Sequence, residues 1–187
     1  MADRHGFHRR RRGGVRLTLA AGEVSVLDHL LEQLVELLEP EGTDAHEQLD
    51  PLAALVGIGT ATEVPDDPAL ARLLPDAYGE DPEASAEFRR YTELSLRESK
   101  RAQAELARAT LADPDRDVLS DAETDAWLRA LNDLRLALGA RLDVTEDVEA
   151  ERAALEALPE GDPRIVMYDI YDWLGYLQAT LLQALDV

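Results

Sequence analysis

The chain has 187 residues, of which 45% are hydrophobic, 31% are charged and 5% are aromatic. This length and composition predict one domain with a hydrophobic core and argue against a disordered chain. The absence of cysteine excludes disulfides, thiolate catalysis and zinc–thiolate sites, and is compatible with a reducing cytoplasm. The net charge of −20 is uneven, because residues 1–16 carry +5 and the rest carries −25, which repels phosphate backbones.

The first predicted element is a β-hairpin over residues 5–19, in the sequence HGFHRRRRGGVRLTL. The run VRLTL alternates apolar and polar residues as a half-buried strand does, and the Gly-Gly pair before it favours a turn. We expect a three-residue Arg-Gly-Gly loop, which sets Phe7 opposite Leu19 and Arg9 opposite Leu17. A two-residue Gly-Gly loop would instead put Phe7 and Leu19 on different faces.

A first helix is predicted from Ala21 to Pro40, which ends it. His29 falls on the side of this helix that faces solvent. Apolar residues recur on the other side at helical spacing, which is typical of a helix that packs on a core. They are Val24, Leu27, Leu31, Leu34, Val35 and Leu38.

An acidic, loop-rich segment is expected over residues 41–66. Asp-Pro pairs at Asp50 and Asp67 predict two short helices, because Asp is a good N-cap and Pro fits the first helical position. The apolar residues that should pack these helices on the body are Leu52, Leu55, Leu70, Leu73 and Leu74.

Two long helices follow, one from Pro82 to Leu111 and one that begins after a capping box of Ser120 and Glu123. The residues expected to face inward on the first are Phe88, Tyr91, Leu94, Leu106 and Ala109. The near-heptad stripe of the second consists of Trp127, Leu131, Leu134, Leu138 and Leu142.

Two further helix starts are predicted near the end of the sequence, with Thr145 and Asp162 as their caps. The pattern as a whole predicts a single all-α domain over residues 1–187. Its architecture is a helical bundle of three long helices plus short helices, with a small N-terminal β-hairpin.

No catalytic or metal-binding pattern is recognisable, so we predict a protein that is not an enzyme and has no cofactor or metal. Asp113, Asp115 and Asp117 begin like a calcium loop. The sixth and twelfth positions are Val118 and Thr124, where that loop needs Gly and Glu. The histidines, which also lack metal-ligand spacing, are His5, His8, His29 and His46.

The arginine run is the first candidate interaction site, and it comprises Arg9, Arg10, Arg11 and Arg12. We favour a structural ribbon whose guanidinium groups meet the acidic body. A mobile arm that binds phosphates is the alternative, which the charge of the body opposes. An expression or start-site artefact is a third interpretation.

The second candidate site is the aromatic sequence YDIYDWLGYLQATL, which contains Tyr168, Tyr171, Trp173 and Tyr176. Tyr and Trp are enriched at protein interfaces, so these residues are candidates for binding a partner or a second copy. For most of them we favour core packing with the hydroxyl groups at the rim. Asp169 and Asp172 argue against a membrane span here.

Three stretches resemble one known family: DPALARLLPDAYGEDPEASAEFRRYTE (67–93), AWLRALNDLRLALGARLDVTED (126–147) and YDWLGYLQATLLQAL (171–185). They are similar to the AosR-like family of actinobacterial proteins, long catalogued as a domain of unknown function. The N-terminal basic ribbon and the first helix fit the same pattern, so the resemblance covers nearly the whole chain.

The resemblance implies a small cytoplasmic helical protein with no established enzymatic activity, in a family whose members are named oxidative-stress transcriptional regulators. It favours a regulator or adaptor that binds a protein partner, such as the transcription machinery or proteolysis components. Direct DNA binding through the arginine run and a purely structural or oligomeric role, as in a homodimer, are the alternatives. Sensing through thiols is excluded, which leaves Met1 and Met167 as the only sulfur atoms.

Overall fold

The computed structural model describes residues 5–11, 13–39, 61–113, 118–145, 147, 149, 153 and 155–185. The fold is all-α apart from one hairpin, as predicted. Its elements in chain order are the strands β1 (Gly6–Arg9) and β2 (Val15–Thr18), and the helices α1 (Ala21–Leu37), α2 (Pro68–Leu73), α3 (Pro82–Leu111), α4 (Asp121–Leu142) and α5 (Pro163–Leu185).

Helix α4 lies at the centre of the bundle, because it packs against α1, α2, α3 and α5. Its predicted stripe is confirmed: Trp127, Leu131, Leu134 and Leu142 are buried, and Leu138 is half-buried. The other large core residues come from α1, α2 and α5, and from the residue that follows each of α1 and α2. The fully buried ones are Leu27, Leu31, Leu38, Leu73, Leu74, Leu174, Leu177 and Leu181.

The predicted helix starts are confirmed wherever the structure describes them. Asp67 Oδ1 accepts a hydrogen bond from the Leu70 amide at 2.9 Å, and Asp81 does the same for Ala84 at 3.0 Å. The capping box before α4 is present as well. These local interactions satisfy amide groups that have no partner inside the helix, which is why the sequence alone predicts them.

The hairpin is confirmed, but its expected register is wrong by two residues. Phe7 pairs with Leu17, not Leu19, and Arg9 pairs with Val15, not Leu17. The reversal lies earlier than expected, as the Arg10 amide donates to the Gly14 carbonyl at 3.0 Å. A shift of two residues keeps each side chain on the same face of the strand, so the predicted inward side of Phe7 is correct.

The inward face predicted for α3 is wrong. Phe88 and Tyr91 are 45% and 51% exposed, Ala109 is exposed, and Leu94 and Leu106 are only half-buried. Charged residues take the inward positions of the first half of this helix because they pair with one another there. The buried residues of α3 are Ser85, Arg89, Glu93, Arg97, Ala104, Ala107 and Thr110.

Several predictions lie wholly or mainly outside the described residues. The helix starting at Asp50, with Leu52 and Leu55, is one, as are most of the acidic segment and residues 114–117 of the calcium-like loop. Only part of the segment after Thr145 is described, where the Asp147 amide donates to Thr145 Oγ1 at 3.2 Å.

Candidate interaction surfaces

Two hydrogen bonds join the hairpin to α5, one donated by each element. The Phe7 amide donates to Thr180 Oγ1 at 3.1 Å, and the Tyr176 hydroxyl donates to the His5 carbonyl at 3.0 Å. Gly6 has φ +107, and a Cβ there would lie 2.8 Å from Thr180 Oγ1. The close approach of β1 to α5 therefore requires glycine at this position.

The other strand of the hairpin is held by the segment that precedes α4. The Leu119 amide donates to the Val15 carbonyl at 2.8 Å, which adds one bridge to the edge of β2. Val15 and Leu119 are both buried. The hairpin is thus a packed part of the domain rather than a loose arm.

The arginine run continues this docked hairpin. Arg9 and Arg11 are exposed, Arg10 is half-buried, and Arg12 lies outside the described residues. Arg9 and Arg10 each have an interaction partner. Arg9 also lines a cleft of about 440 Å³ together with Asp121 and Asp125 of α4. This arrangement places Arg9 beside acidic groups of the body.

Two of the four aromatic candidates on α5 use their polar groups within the domain. The Tyr168 hydroxyl donates to the Leu142 carbonyl at 3.3 Å, and Arg135 Nη2 donates to the Tyr171 hydroxyl at 3.4 Å. The Arg135 guanidinium carbon also lies 5.1 Å from the centre of the Tyr171 ring, a cation–π distance. Both side chains are half-buried.

The remaining two aromatic candidates differ in exposure. Trp173 is half-buried against the core, whereas Tyr176 is 50% exposed. Tyr176, Arg9 and Phe7 line one cleft of about 430 Å³ between the hairpin and α5. The fold therefore brings part of the arginine run and part of the aromatic helix into one surface, which we call the hairpin–α5 cleft.

A buried row of charges on α3 was not predicted as a site. Arg89 is 5% exposed and donates to Glu93 at 2.6 Å, to Asp76 at 2.9 Å and to the Leu74 carbonyl at 3.0 Å. Arg97 Nε donates to the other oxygen of Glu93 at 2.9 Å. Glu93 is thus held between two guanidinium groups, one turn away on either side.

Burial disfavours the charge on Arg89, but the hydrogen bonds from Arg89 to Asp76 and Glu93 outweigh that effect and raise its pKa. Arg89 therefore stays charged, and its hydrogen bonds tie the segment before α3 to the helix. We interpret it as a structural element, because its donors and acceptors are directed at one another.

A second feature missed from the sequence is an exposed group of aromatic side chains, which we call the aromatic patch: Tyr78, Phe88 and Tyr91. Tyr78 and Phe88 stack edge to face, with ring centres 5.9 Å apart. Phe88 and Tyr91 are three residues apart, a spacing that makes them neighbours on the helix surface. The acidic residues around this pair in the sequence were the available signal that it faces solvent.

Within the described ranges, no group of three or more His, Cys, Asp or Glu side chains is arranged to hold a metal ion. No helix in that part of the chain is both long enough and apolar enough to cross a membrane.

The fold and its surfaces define a helical-bundle domain that carries a docked basic hairpin. The family model described as "Domain of unknown function (DUF2017)" matches residues 4–185, so the chain belongs to this family. No solved structure matches it significantly.

Relatives in mycobacteria carry a functional name. A Mycobacterium leprae protein with the AosR designation is 37% identical over 185 residues, which cover 91% of this chain and 82% of the relative. Proteins of Mycobacterium tuberculosis (strain H37Rv) and Mycobacterium bovis, each named "Oxidative stress regulator AosR", are 32% identical over 91% of this chain and 81% of their own length. The predicted family resemblance is therefore confirmed.

Proposed function

We propose that this protein is a cytoplasmic regulator of the response to oxidative stress, that it is not an enzyme, and that it acts by binding a protein partner. The regulatory role is supported by the names of relatives that align with 91% of the chain. The transcription machinery and proteolysis components are the classes of partner that we expect.

The hairpin–α5 cleft is the observation that carries the proposed mode of action. It combines Arg9, an exposed arginine of the hairpin, with Tyr176, an exposed aromatic residue of α5. Hydrogen bonds between the two elements fix the hairpin in place. Arginine and tyrosine are enriched at interface hot spots, and a fixed surface loses little conformational entropy on binding. Because the chain has no thiol, a response to oxidants would come from the partner or from methionine chemistry.

Affinity purification from native lysate tests this proposal. We expect the wild-type chain to recover a specific partner at moderate salt, and Arg9→Glu with Arg11→Glu to reduce the recovery at least tenfold. Arg72→Glu, with Arg164→Glu, is the matched control, because it reverses two exposed arginine charges on α2 and at the start of α5. Recovery of chaperones alone, or equal loss in the control, would contradict the proposal.

Direct DNA binding is the alternative that the four consecutive arginines favour. It predicts a mobility shift that weakens steeply with salt, because each phosphate contact releases about one counterion. Replacing residues 9–12 with Ala should then abolish the shift. We expect no shift even at low salt, since residues 17–187 repel phosphates.

A further inference from the structure

The hydroxyl groups of the aromatic patch differ from those of the three tyrosines on α5. Tyr168, Tyr171 and Tyr176 all engage theirs in hydrogen bonds. Among the described residues, no hydrogen bond involves the hydroxyl of Tyr78 or Tyr91, which are 50% and 51% exposed. The patch therefore offers both ring surface and polar groups to solvent.

The patch is also held in place by the residues behind it. Ser85 Oγ donates to the Tyr78 carbonyl at 2.7 Å and accepts from the Tyr78 amide at 3.1 Å. Ser85 is buried, and Arg89 fixes the adjacent Asp76 at 2.9 Å. Tyr78 is thus set against Phe88 before any ligand arrives, which reduces the entropic cost of binding.

Carboxylates that have no ion pair in the described structure lie close to the patch in the chain, and helical spacing puts Glu87 and Glu98 on the same side of α3 as Tyr91. The exposed acidic residues from Tyr78 to Glu98 without an ion pair are Glu80, Asp81, Glu83, Glu87 and Glu98, against one exposed cation, Arg90. The remaining acidic residues of the same helix, Glu93 and Glu105, are each paired with arginine. The charges around the patch are therefore available to a ligand, and they favour a positively charged one.

We propose that the aromatic patch binds a basic segment of the partner protein, one that presents Arg or Lys next to an apolar side chain. The cation would lie over the Tyr91 ring, close to Glu87 and Glu98, which are on the same side of the helix. The apolar side chain would pack against Phe88. Aromatic rings attract cations through their quadrupole, and nearby carboxylates add to this attraction.

This inference rests on the proposal that the protein acts through a protein partner. A nucleic acid does not fit the patch, because its phosphates would meet the carboxylates of Glu87 and Glu98. A second copy could reach it only through its own basic residues, such as those of the hairpin, and this would make the patch a dimer contact.

Fluorescence anisotropy with two synthetic peptides tests the proposal. One is a labelled twelve-residue peptide of Arg and Leu in helical alternation, and the other has every Leu replaced by Ser. Any basic peptide is attracted to a chain with net charge −20, so the informative quantity is the preference for leucine. We expect the wild type to bind the Arg–Leu peptide at least tenfold more tightly than the Arg–Ser peptide at 150 mM salt.

Phe88→Ala with Tyr91→Ala should remove this preference, whereas Val166→Ala, at an exposed apolar residue of α5, should leave it intact. Glu87→Gln with Glu98→Gln should weaken the binding of both peptides and keep the preference. Circular dichroism and urea unfolding check that every variant is folded, as substitution of exposed side chains should permit.

A leucine preference that is absent, or that persists in Phe88→Ala/Tyr91→Ala, overturns the proposal. A second result would also overturn it: the wild type is a dimer in analytical ultracentrifugation, and both this variant and Arg9→Glu/Arg11→Glu abolish the dimer. The occupant of the patch would then be a second copy. Failure here is distinct from failure of the proposed function, which is judged by whether the wild type recovers a specific partner from lysate.

Discussion

Buried charges decide which residues of α3 face the core. Arg89, Glu93 and Arg97 lie one turn apart, and each carboxylate oxygen of Glu93 accepts from a different arginine. Removing one member of such a row leaves the others buried without compensation, which costs more free energy than the row itself contributes. The row therefore makes this face of the helix sensitive to single substitutions.

We predict that Arg89→Leu lowers the free energy of unfolding by about 3 kcal/mol, because Asp76 and the Leu74 carbonyl lose this donor and Glu93 keeps only Arg97. Arg90→Leu is the matched control, since Arg90 is the next residue and is exposed. It should change stability by less than about 0.5 kcal/mol. Urea unfolding measures both, and equal effects would show that the pairing of Arg89 is unimportant.

Gly13 and Gly14 both have positive φ, at +89 and +83, but their surroundings differ. A Cβ on Gly13 would meet nothing within 4 Å, whereas one on Gly14 would lie 2.5 Å from Cγ1 of Val118. We predict that Gly13→Ala costs about 1–2 kcal/mol for the backbone conformation alone. Gly14→Ala should cost about 1 kcal/mol more, because it also displaces Val118.

Thermal or urea unfolding of the two glycine variants measures this difference. Adding Val118→Ala to Gly14→Ala should recover the steric part of the cost and bring the variant close to Gly13→Ala. If the added substitution recovers no stability, contact with Val118 is not the reason that Gly14→Ala costs more than Gly13→Ala.

At the scale of elements, α1 and α3 are joined by one arginine. Arg108 donates to both carboxylate oxygens of Asp28, at 2.7 and 3.2 Å, and to Glu32 at 2.8 Å. The hydrogen bond from Arg108 is the main reason that the pKa of Asp28 is lowered from its ordinary value of 3.8. A lowered pKa in the folded state means that the ionised carboxylate stabilises the fold.

We predict that Asp28→Asn lowers the free energy of unfolding at neutral pH. The difference in this free energy between the variant and the wild type should be constant above the ordinary pKa of 3.8. The difference should shrink as the pH falls from there through the lower pKa of folded Asp28, since both states then bind the proton. Gln33→Ala, at an exposed residue of α1 without an ionisable group, is the control and should show no such dependence. Urea unfolding from pH 7 to pH 3 measures it, and a difference that grows in acid would contradict the assignment.

At the scale of the whole molecule, Trp127 joins three parts of the fold. It lies on α4, its ring centre is 5.6 Å from that of Phe7 in the hairpin, and its Nε1–H donates to Thr110 of α3 at 2.9 Å. Trp127 is fully buried, and Phe7 is 2% exposed. The hairpin therefore contributes a buried side chain to the core of the domain.

We predict that the hairpin and the helices unfold together. In a Trp173→Phe background, the fluorescence of Trp127 and the helical circular dichroism should change at the same urea concentration. Phe7→Ala should lower both midpoints together, with a loss of about 3–5 kcal/mol. Two separate transitions, with fluorescence changing first, would show that the hairpin is an independent unit.

The helix starts, the hairpin and the apolar stripes of α1 and α4 were predictable from the sequence. Caps such as Asp67, Asp81 and Ser120 act within one turn, so their partners are a few residues away in the chain. The stripe of α4 was predictable because the large side chains on its inward face are apolar, so hydrophobic periodicity reports their burial. The family was also visible in the sequence.

The register of the hairpin depends on where the chain reverses, between Arg10 and Gly14, which the Gly-Gly pair alone leaves open. The position of the hairpin and the inward face of α3 depend on tertiary contacts. The Leu119 amide, for example, donates to the Val15 carbonyl from more than 100 residues away in the chain. The burial of Arg89 depends on Asp76 and the Leu74 carbonyl, which hydrophobicity does not report. Phe88 is exposed because its neighbour Arg89 finds hydrogen-bond partners and takes the inward position instead. The joining of Arg9 and Tyr176 in one cleft likewise required the docking of the hairpin on α5.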